Sequence, residues 1–159
     1  MSGAKGKQRT VAFFIPHLGC PHRCSFCDQR AITGQAAIPS PEEVEETLEQ
    51  AARTHFRWQR SEIGFFGGSF TAVDRCITQP LLETASRFVR QGLFQAIRIS
   101  TRPDAVDRQT LEWLKSYGVS MVELGAQSMD DRVLVRNERG HTAAQIRVAS
   151  RLIQEAGLS

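Results

Sequence analysis

Three cysteines, Cys20, Cys24 and Cys27, fall within the stretch "CPHRCSFC", spaced C-x3-C-x2-C. A disulfide uses two thiols and a closed tetrahedral zinc site uses four ligands, so three cysteines by themselves complete neither. Three thiolates can hold three irons of a [4Fe–4S] cluster and leave the fourth iron open to another ligand. The triplet alone also admits a zinc site completed by His17 or His22, or three unrelated thiols. Phe26, inside the loop, would shield a cluster from water.

The composition sets bounds on these readings. The chain has 159 residues, of which 41% are hydrophobic and 23% charged, an ordinary globular mix for one domain. The net charge of +3 is too mild to argue for nucleic acid by itself. No apolar run approaches the roughly 20 residues of a membrane helix, so no membrane partner is expected. Lys5, Lys7 and Arg9 precede "VAFFI" in a superficial imitation of a signal peptide. The apolar run is too short, however, and "PHLGCPHRC" stands where a cleavage site should be. A cytoplasmic location follows as the expectation, and clustered cysteines there point to metal or redox chemistry.

The elements that must position the cysteines alternate along the chain. "TVAFFIP" (10–16) reads as a buried strand and "SPEEVEETLEQAARTHF" (40–56) as a helix with Ser40 and Glu43 in a capping box. "EIGFFGG" (62–68) is a second strand, and "TQPLLETASRFVRQG" (78–92) a second helix stopped by Gly92. "QAIRIS" (95–100) is a third strand, and "DRQTLEWLKSYG" (107–118) a third helix capped by Asp107. "SMVELGAQ" (120–127) and "TAAQIRVASRLIQEAG" (142–157), with Thr142 and Gln145 as a capping box, complete the series. The pattern is α/β: a parallel (βα)4 portion of a sheet with right-handed crossovers, in which residues 1–9 form a tail and 10–159 one core. Functional groups should gather at the C-terminal strand ends. Strand parity puts Arg98, Ser100 and Arg102 on one side of the third strand. It puts Met121, Glu123, Gly125 and Gln127 on one side of the fourth. Polar residues inside apolar strands suggest a polar lumen, and Arg98 and Glu123 are candidates for an ion pair there. Cys76 reads as an ordinary thiol near the start of the second helix.

C-x3-C-x2-C after the first strand of a βα series resembles the radical S-adenosylmethionine (SAM) superfamily. The likeness continues through "FFGGSFTA" (65–72), "STRPD" (100–104) and "VELGAQSMDDRVLVRNERGHT" (122–142). Together these are similar to the branch containing the catalytic subunit of Elongator and the oxygen-independent coproporphyrinogen oxidases. The resemblance implies a partial (βα)6 barrel, of which this chain carries four units. It implies that Cys20, Cys24 and Cys27 bind a [4Fe–4S] cluster whose open iron chelates SAM. It also implies reductive cleavage of SAM to methionine and a 5′-deoxyadenosyl radical, with an electron from a flavodoxin- or ferredoxin-like donor. The substrate is then either RNA or a small molecule.

Residue by residue, the resemblance implies that Gly67, Gly68 and Ser69 let backbone groups approach SAM. Gln127 matches a residue near the SAM ribose and methionine moiety. Arg139 stands at the spacing of an arginine that meets the SAM carboxylate, a pairing that suits a guanidinium. Arg102 and Ser100 belong to the same rim. Ser100 departs from the pattern, because both similar branches carry glutamate there. The cysteine spacing is more compact than in the Elongator subunit. The chain stops after the fourth helix, where a fifth strand would begin, so a fragment of a longer enzyme with low turnover of its own is expected, its fourth strand an exposed edge. The reading from another class is a non-catalytic metal-binding module, holding zinc or a degenerate iron–sulfur cluster.

Overall fold

The computed structural model describes residues 9–16, 24, 37–54 and 61–159. Strand and helix alternate through them: β1 (Thr10–Ile15), α1 (Pro41–Thr54), β2 (Glu62–Gly67), α2 (Arg75–Arg90), β3 (Ala96–Thr101), α3 (Arg108–Ser116), β4 (Val119–Leu124), α4 (Asp131–Arg136) and α5 (Ala143–Glu155). Single 3-10 turns, Phe70–Ala72 and Pro103–Ala105, follow β2 and β3. The strands pair in parallel in the order β1-β2-β3-β4. The expected parallel (βα)4 arrangement is therefore present.

Local signals explain most boundaries. The Ser40 backbone N–H donates to Glu43 Oε2 and the Glu43 N–H to Ser40 Oγ, at 2.7 and 3.2 Å, which closes the capping box of α1. Asp107 accepts from the Thr110 N–H at 2.7 Å, and Thr142 with Gln145 forms a complete capping box on α5. Helix α2 begins at Arg75, three residues before the sequence reading placed it, because Asp74 accepts from the Cys76 N–H. Pro80 lies inside the helix and removes one of its hydrogen bonds, yet the amphipathic face beyond it holds the helix together. Cys76 is exposed on the first turn.

The helix α4 is absent from the sequence reading. It is six residues long and buries only Leu134, so it has almost no apolar periodicity to detect. Asp130 caps it, accepting from the Arg132 N–H at 2.9 Å. Its exit is a Schellman motif: the Arg139 N–H donates to the Leu134 carbonyl and the Glu138 N–H to the Val135 carbonyl, both at 3.0 Å. Glu138 takes the left-handed position, φ 53°, that glycine usually fills.

One face of the sheet packs against helices. Phe13 and Ile15, Ile63 and Phe65, Ile97 and Ile99, and Val122 meet Leu48, Leu82, Ala85 and Leu114 in a continuous apolar core. The opposite face carries Glu62, Gly64 and Phe66 from β2, Arg98 and Ser100 from β3, and Met121 and Glu123 from β4, by the two-residue strand period. A bulge between Ile97 and Arg98 skips Ser120 and aligns Arg98 with Met121 and Ser100 with Glu123. Two ladder positions on the outer edge of β4 are taken by the backbone of Ser159. Its N–H donates to the Ser120 carbonyl at 3.0 Å and its carbonyl accepts from Val122 at 2.8 Å.

Candidate functional site

The C-terminal ends of β2, β3 and β4 converge on one rim. At β2, Gly67 has φ 107°, and a Cβ there would lie 2.7 Å from the Ile15 carbonyl oxygen. The Gly68 N–H donates to that same oxygen at 2.7 Å. Glycine is thus required where β2 leaves the sheet against the end of β1.

Ser69 is fully buried. Its Oγ lies 2.9 Å from Thr101 Oγ1 and accepts from the Arg102 N–H at 3.3 Å. Thr71 joins the same knot, 2.5 Å from Thr101 Oγ1 and donating to the Ala105 carbonyl at 2.6 Å. These hydroxyls tie the loop after β2 to the loop after β3. The Ser69 side chain is accordingly engaged within the protein.

Arg102 is 4% exposed. Its Nε and Nη2 donate to the two oxygens of Asp104, each at 2.9 Å, and Nη2 also donates to the Arg139 carbonyl at 2.6 Å. Burial raises the Asp104 carboxyl, but hydrogen bonding and charge from Arg102 outweigh it and hold the group below the usual carboxylate range. Arg102 therefore clamps the backbone from which the Arg139 side chain springs.

Arg139, 7% exposed, reaches across the rim. Its Nη1 donates to the Cys24 sulfur at 3.1 Å and its Nη2 to the Gly125 carbonyl. A Cβ on Gly125 would lie 3.3 Å from Arg139 Nη2 and 3.5 Å from the Thr101 carbonyl oxygen, so glycine leaves the guanidinium its place. Cys24 itself is buried. Cys20, Cys27 and Phe26 lie outside the described residues. Among the described residues no group of three metal-binding side chains occurs.

Gln127 is exposed and, like Glu138, has positive φ, 64°. Strand β4 ends at Leu124, and the turn that follows is held by the Gly125 N–H on the Thr101 carbonyl at 2.8 Å. Gln127 thus leaves the strand parity expected for it. His141 is 4% exposed, with one ring nitrogen 3.3 Å from the Ala126 carbonyl oxygen. Burial, reinforced by Arg139 and Arg102, pushes its pKa below the usual histidine range against the opposing pull of the Ala126 carbonyl and Asp104.

Ser100, expected at the same rim as Arg102, instead lies on the face of the sheet opposite the apolar core, beside Glu123. Its Oγ donates to Glu123 Oε2 at 3.1 Å. Arg98 bridges Glu62, at 3.2 Å, and Glu123, and lies 5.8 Å from the Phe66 ring centroid. The Arg98–Glu123 pair expected from strand parity is present. Glu62 was not expected: it sits at the strand start, where sequence alone does not distinguish a buried carboxylate from a solvated one. Although residue 100 is a serine, the Glu123 carboxylate stands beside it.

The geometry describes a parallel α/β protein whose strand ends gather a buried sulfur, guanidinium groups and glycine turns. The model of the Radical SAM superfamily matches residues 14–159, and the chain belongs to that superfamily. A tRNA uridine(34) acetyltransferase of Dehalococcoides mccartyi is 26% identical over 93% of this chain and 39% of its own length. The anaerobic magnesium-protoporphyrin IX monomethyl ester cyclase of Cereibacter sphaeroides is 25% identical over 93% of this chain and 24% of its own length. Among solved structures, archaeal Elp3 of Methanocaldococcus infernus superposes with a TM-score of 0.66 at 18% identity, covering 96% of this chain and 37% of that one. The chain spans well under half the length of each. Among the described residues no helix is long and apolar enough to cross a membrane.

Proposed function

We propose that the chain is the cofactor-binding core of a radical SAM enzyme, in which Cys20, Cys24 and Cys27 hold a [4Fe–4S] cluster. The observation that carries this reading is the Cys24 sulfur, buried at the strand ends and facing the Arg139 guanidinium at 3.1 Å. A thiolate-ligated cluster is anionic, and a fixed cation beside one of its sulfurs suits it. When bound, the cluster supplies the electron that cleaves SAM to methionine and a 5′-deoxyadenosyl radical.

The protein's own part is to position and exclude. Gly67 and Gly68 keep the turn after β2 low, without a side chain over the rim. The hydroxyls of Ser69, Thr71 and Thr101 lock the loops after β2 and β3 together, and Arg102 fixes Arg139. Gln127, exposed on the turn after β4, is the residue we assign to SAM on the strength of the resemblance. The electron comes from a one-electron donor of the flavodoxin or ferredoxin kind. The substrate is RNA or a small molecule, since relatives named for each share this core.

Anaerobic iron–sulfur reconstitution, followed by visible and electron paramagnetic resonance spectra with and without SAM, tests the proposal. A cluster signal that shifts on adding SAM is the expected result. A signal indifferent to SAM sinks the SAM reading. Uptake of zinc with no iron establishes instead a non-catalytic metal-binding module.

A further inference from the structure

We infer that the face of the sheet opposite the apolar core seats the substrate through a planar ring bearing an N–H donor: Phe14 and Phe66 take the ring, and Glu123 takes the donor. The inference rests on the proposed function in calling this ligand the substrate, and it names the substrate's chemistry.

The penultimate residues of the four strands form one row on that face. Phe14 pairs with Phe66, Phe66 and Ser100 follow the paired Phe65 and Ile99, and Ser100 pairs with Glu123. Each comes directly after a core residue, Phe13, Phe65, Ile99 or Val122, and so points the other way. Neighbouring strands stand about 4.8 Å apart, so the row runs roughly 14 Å from an aromatic half to an acceptor half.

In the aromatic half, Phe14 is 36% exposed and Phe66 is half-buried. Rings turned away from the core and open to this degree offer a surface on which a planar ligand stacks. Phe66 folds back along β2. A Cβ on Gly64 would collide with its Cε2 and lie 2.5 Å from its Cζ, so glycine at 64 is what lets the ring lie along the strand. The Arg98 guanidinium, 5.8 Å from the Phe66 ring centroid, makes the two halves contiguous.

In the acceptor half, the Glu123 side chain is 41% exposed and already aimed. Arg98 donates to its Oε1, and Ser100 Oγ donates to its Oε2 at 3.1 Å. The same guanidinium serves Glu62, whose side chain is 6% exposed, at 3.2 Å. Two carboxylates against one guanidinium leave one negative charge, and of the two only Glu123 is presented to a ligand. A carboxylate oriented by two donors keeps lone pairs for a third and does not swing away. It accepts an N–H and repels an anion. Of the substrate kinds proposed above, a heterocycle such as a nucleobase fits this seat, and a ring fringed with carboxylates does not.

The test is NMR titration of the full chain, without cluster or SAM, with three ring probes of one shape. Nicotinamide carries an N–H donor, methyl nicotinate carries none, and nicotinate is an anion. The expected order is nicotinamide tightest, methyl nicotinate roughly fivefold to tenfold weaker, and nicotinate weaker still. Glu123→Gln, which removes the charge, should shrink the gap between nicotinamide and nicotinate severalfold. Phe66→Leu should weaken all three probes and leave their order. Equal binding of the three, tightest binding of nicotinate, or no binding of nicotinamide overturns the inference. So does displacement of nicotinamide by 5′-methylthioadenosine, which carries the adenosine of SAM and would give the seat to the cofactor. Should either variant not fold, the wild-type order decides. No probe needs the cluster, so the two readings fail separately. A chain that takes up no iron but ranks the probes as expected sinks the proposed function. A chain that loads iron, answers SAM and binds the three probes alike sinks only this inference.

Discussion

Arg98 and Glu123 join β3 to β4 through a hydrogen-bonded ion pair on the face of the sheet opposite the apolar core. The same guanidinium reaches Glu62, whose side chain is only 6% exposed. Removing the arginine leaves that carboxylate buried without its cation. Arg98→Ala is expected to lower unfolding free energy by about 2–4 kcal/mol. Adding Glu62→Gln to the same chain should recover part of the loss, since an uncharged amide is less costly to bury. Urea denaturation of wild type and the two variants checks both expectations; equal stabilities of the two variants would mean that Glu62 does not depend on Arg98.

Gly67 makes a sharper prediction. Its φ of 107° is a conformation that side chains rarely adopt, and a Cβ there would stand 2.7 Å from backbone oxygen rather than from a side chain able to swing away. Gly67→Ala is expected to cost about 2–4 kcal/mol. Thermal unfolding measures it. Gly92 is also left-handed, but a Cβ there meets nothing within 4 Å, so Gly92→Ala should cost less, about 1 kcal/mol.

Glu138 offers the reverse case. It occupies the left-handed exit of α4 with φ 53°. Glycine carries no Cβ penalty there, although it loses more chain entropy on folding. Glu138→Gly is expected to stabilise the chain by roughly 0.5–1 kcal/mol. A fall in melting temperature would mean that the glutamate side chain contributes more than its backbone strain costs.

Among the described residues His141 sets the first acid-sensitive step. Its folded pKa lies below the ordinary value, mainly because burial disfavours the charged ring. The unfolded chain therefore binds the proton more readily. Stability is fully present above about pH 6.5 and is lost as pH falls below that value toward the folded pKa. Groups facing the ring act both ways: Arg139 and Arg102 oppose protonation, while Asp104 and the Ala126 carbonyl favour it. His141→Gln should flatten the loss below about pH 6.5. The lowered carboxyls of Asp104 and Asp107 contribute separately, and their share is lost only below about pH 4. Denaturation midpoints across this range read the two steps apart.

Much of the fold was legible because apolar periodicity and caps agreed. Ser40 with Glu43, Asp107, and Thr142 with Gln145 each marked a helix start that the structure repeats. The start of α2 was misplaced because Pro80 invites a boundary, whereas the Asp74 cap lies upstream of it. Helix α4 was missed because one buried leucine makes no pattern. At the rim, Ser69, Arg102 and Arg139 were among the residues the sequence brought forward, and these three share one hydrogen-bonded neighbourhood, whereas Ser100 bonds Glu123 on the face opposite the apolar core. Thr71 and Thr101 escaped notice because a hydroxyl looks solvated until its partner, some 30 residues away, is known; Asp104, two positions from Arg102, escaped notice because a carboxylate in a turn looks solvated. The link from Arg139 to Cys24 spans 115 positions, and no local spacing encodes it.

The clamp of Asp104 on Arg102, and of Arg102 on the Arg139 backbone, bears on how such chains diverge. Position 104 lies 80 positions from Cys24 in sequence but only two side chains and one peptide unit from its sulfur. A neutral change at Asp104 would free Arg102, and a free Arg102 would loosen the guanidinium at the cysteine. Residues 102, 104 and 139 should therefore be inherited as a unit, replaced together in descendants or not at all.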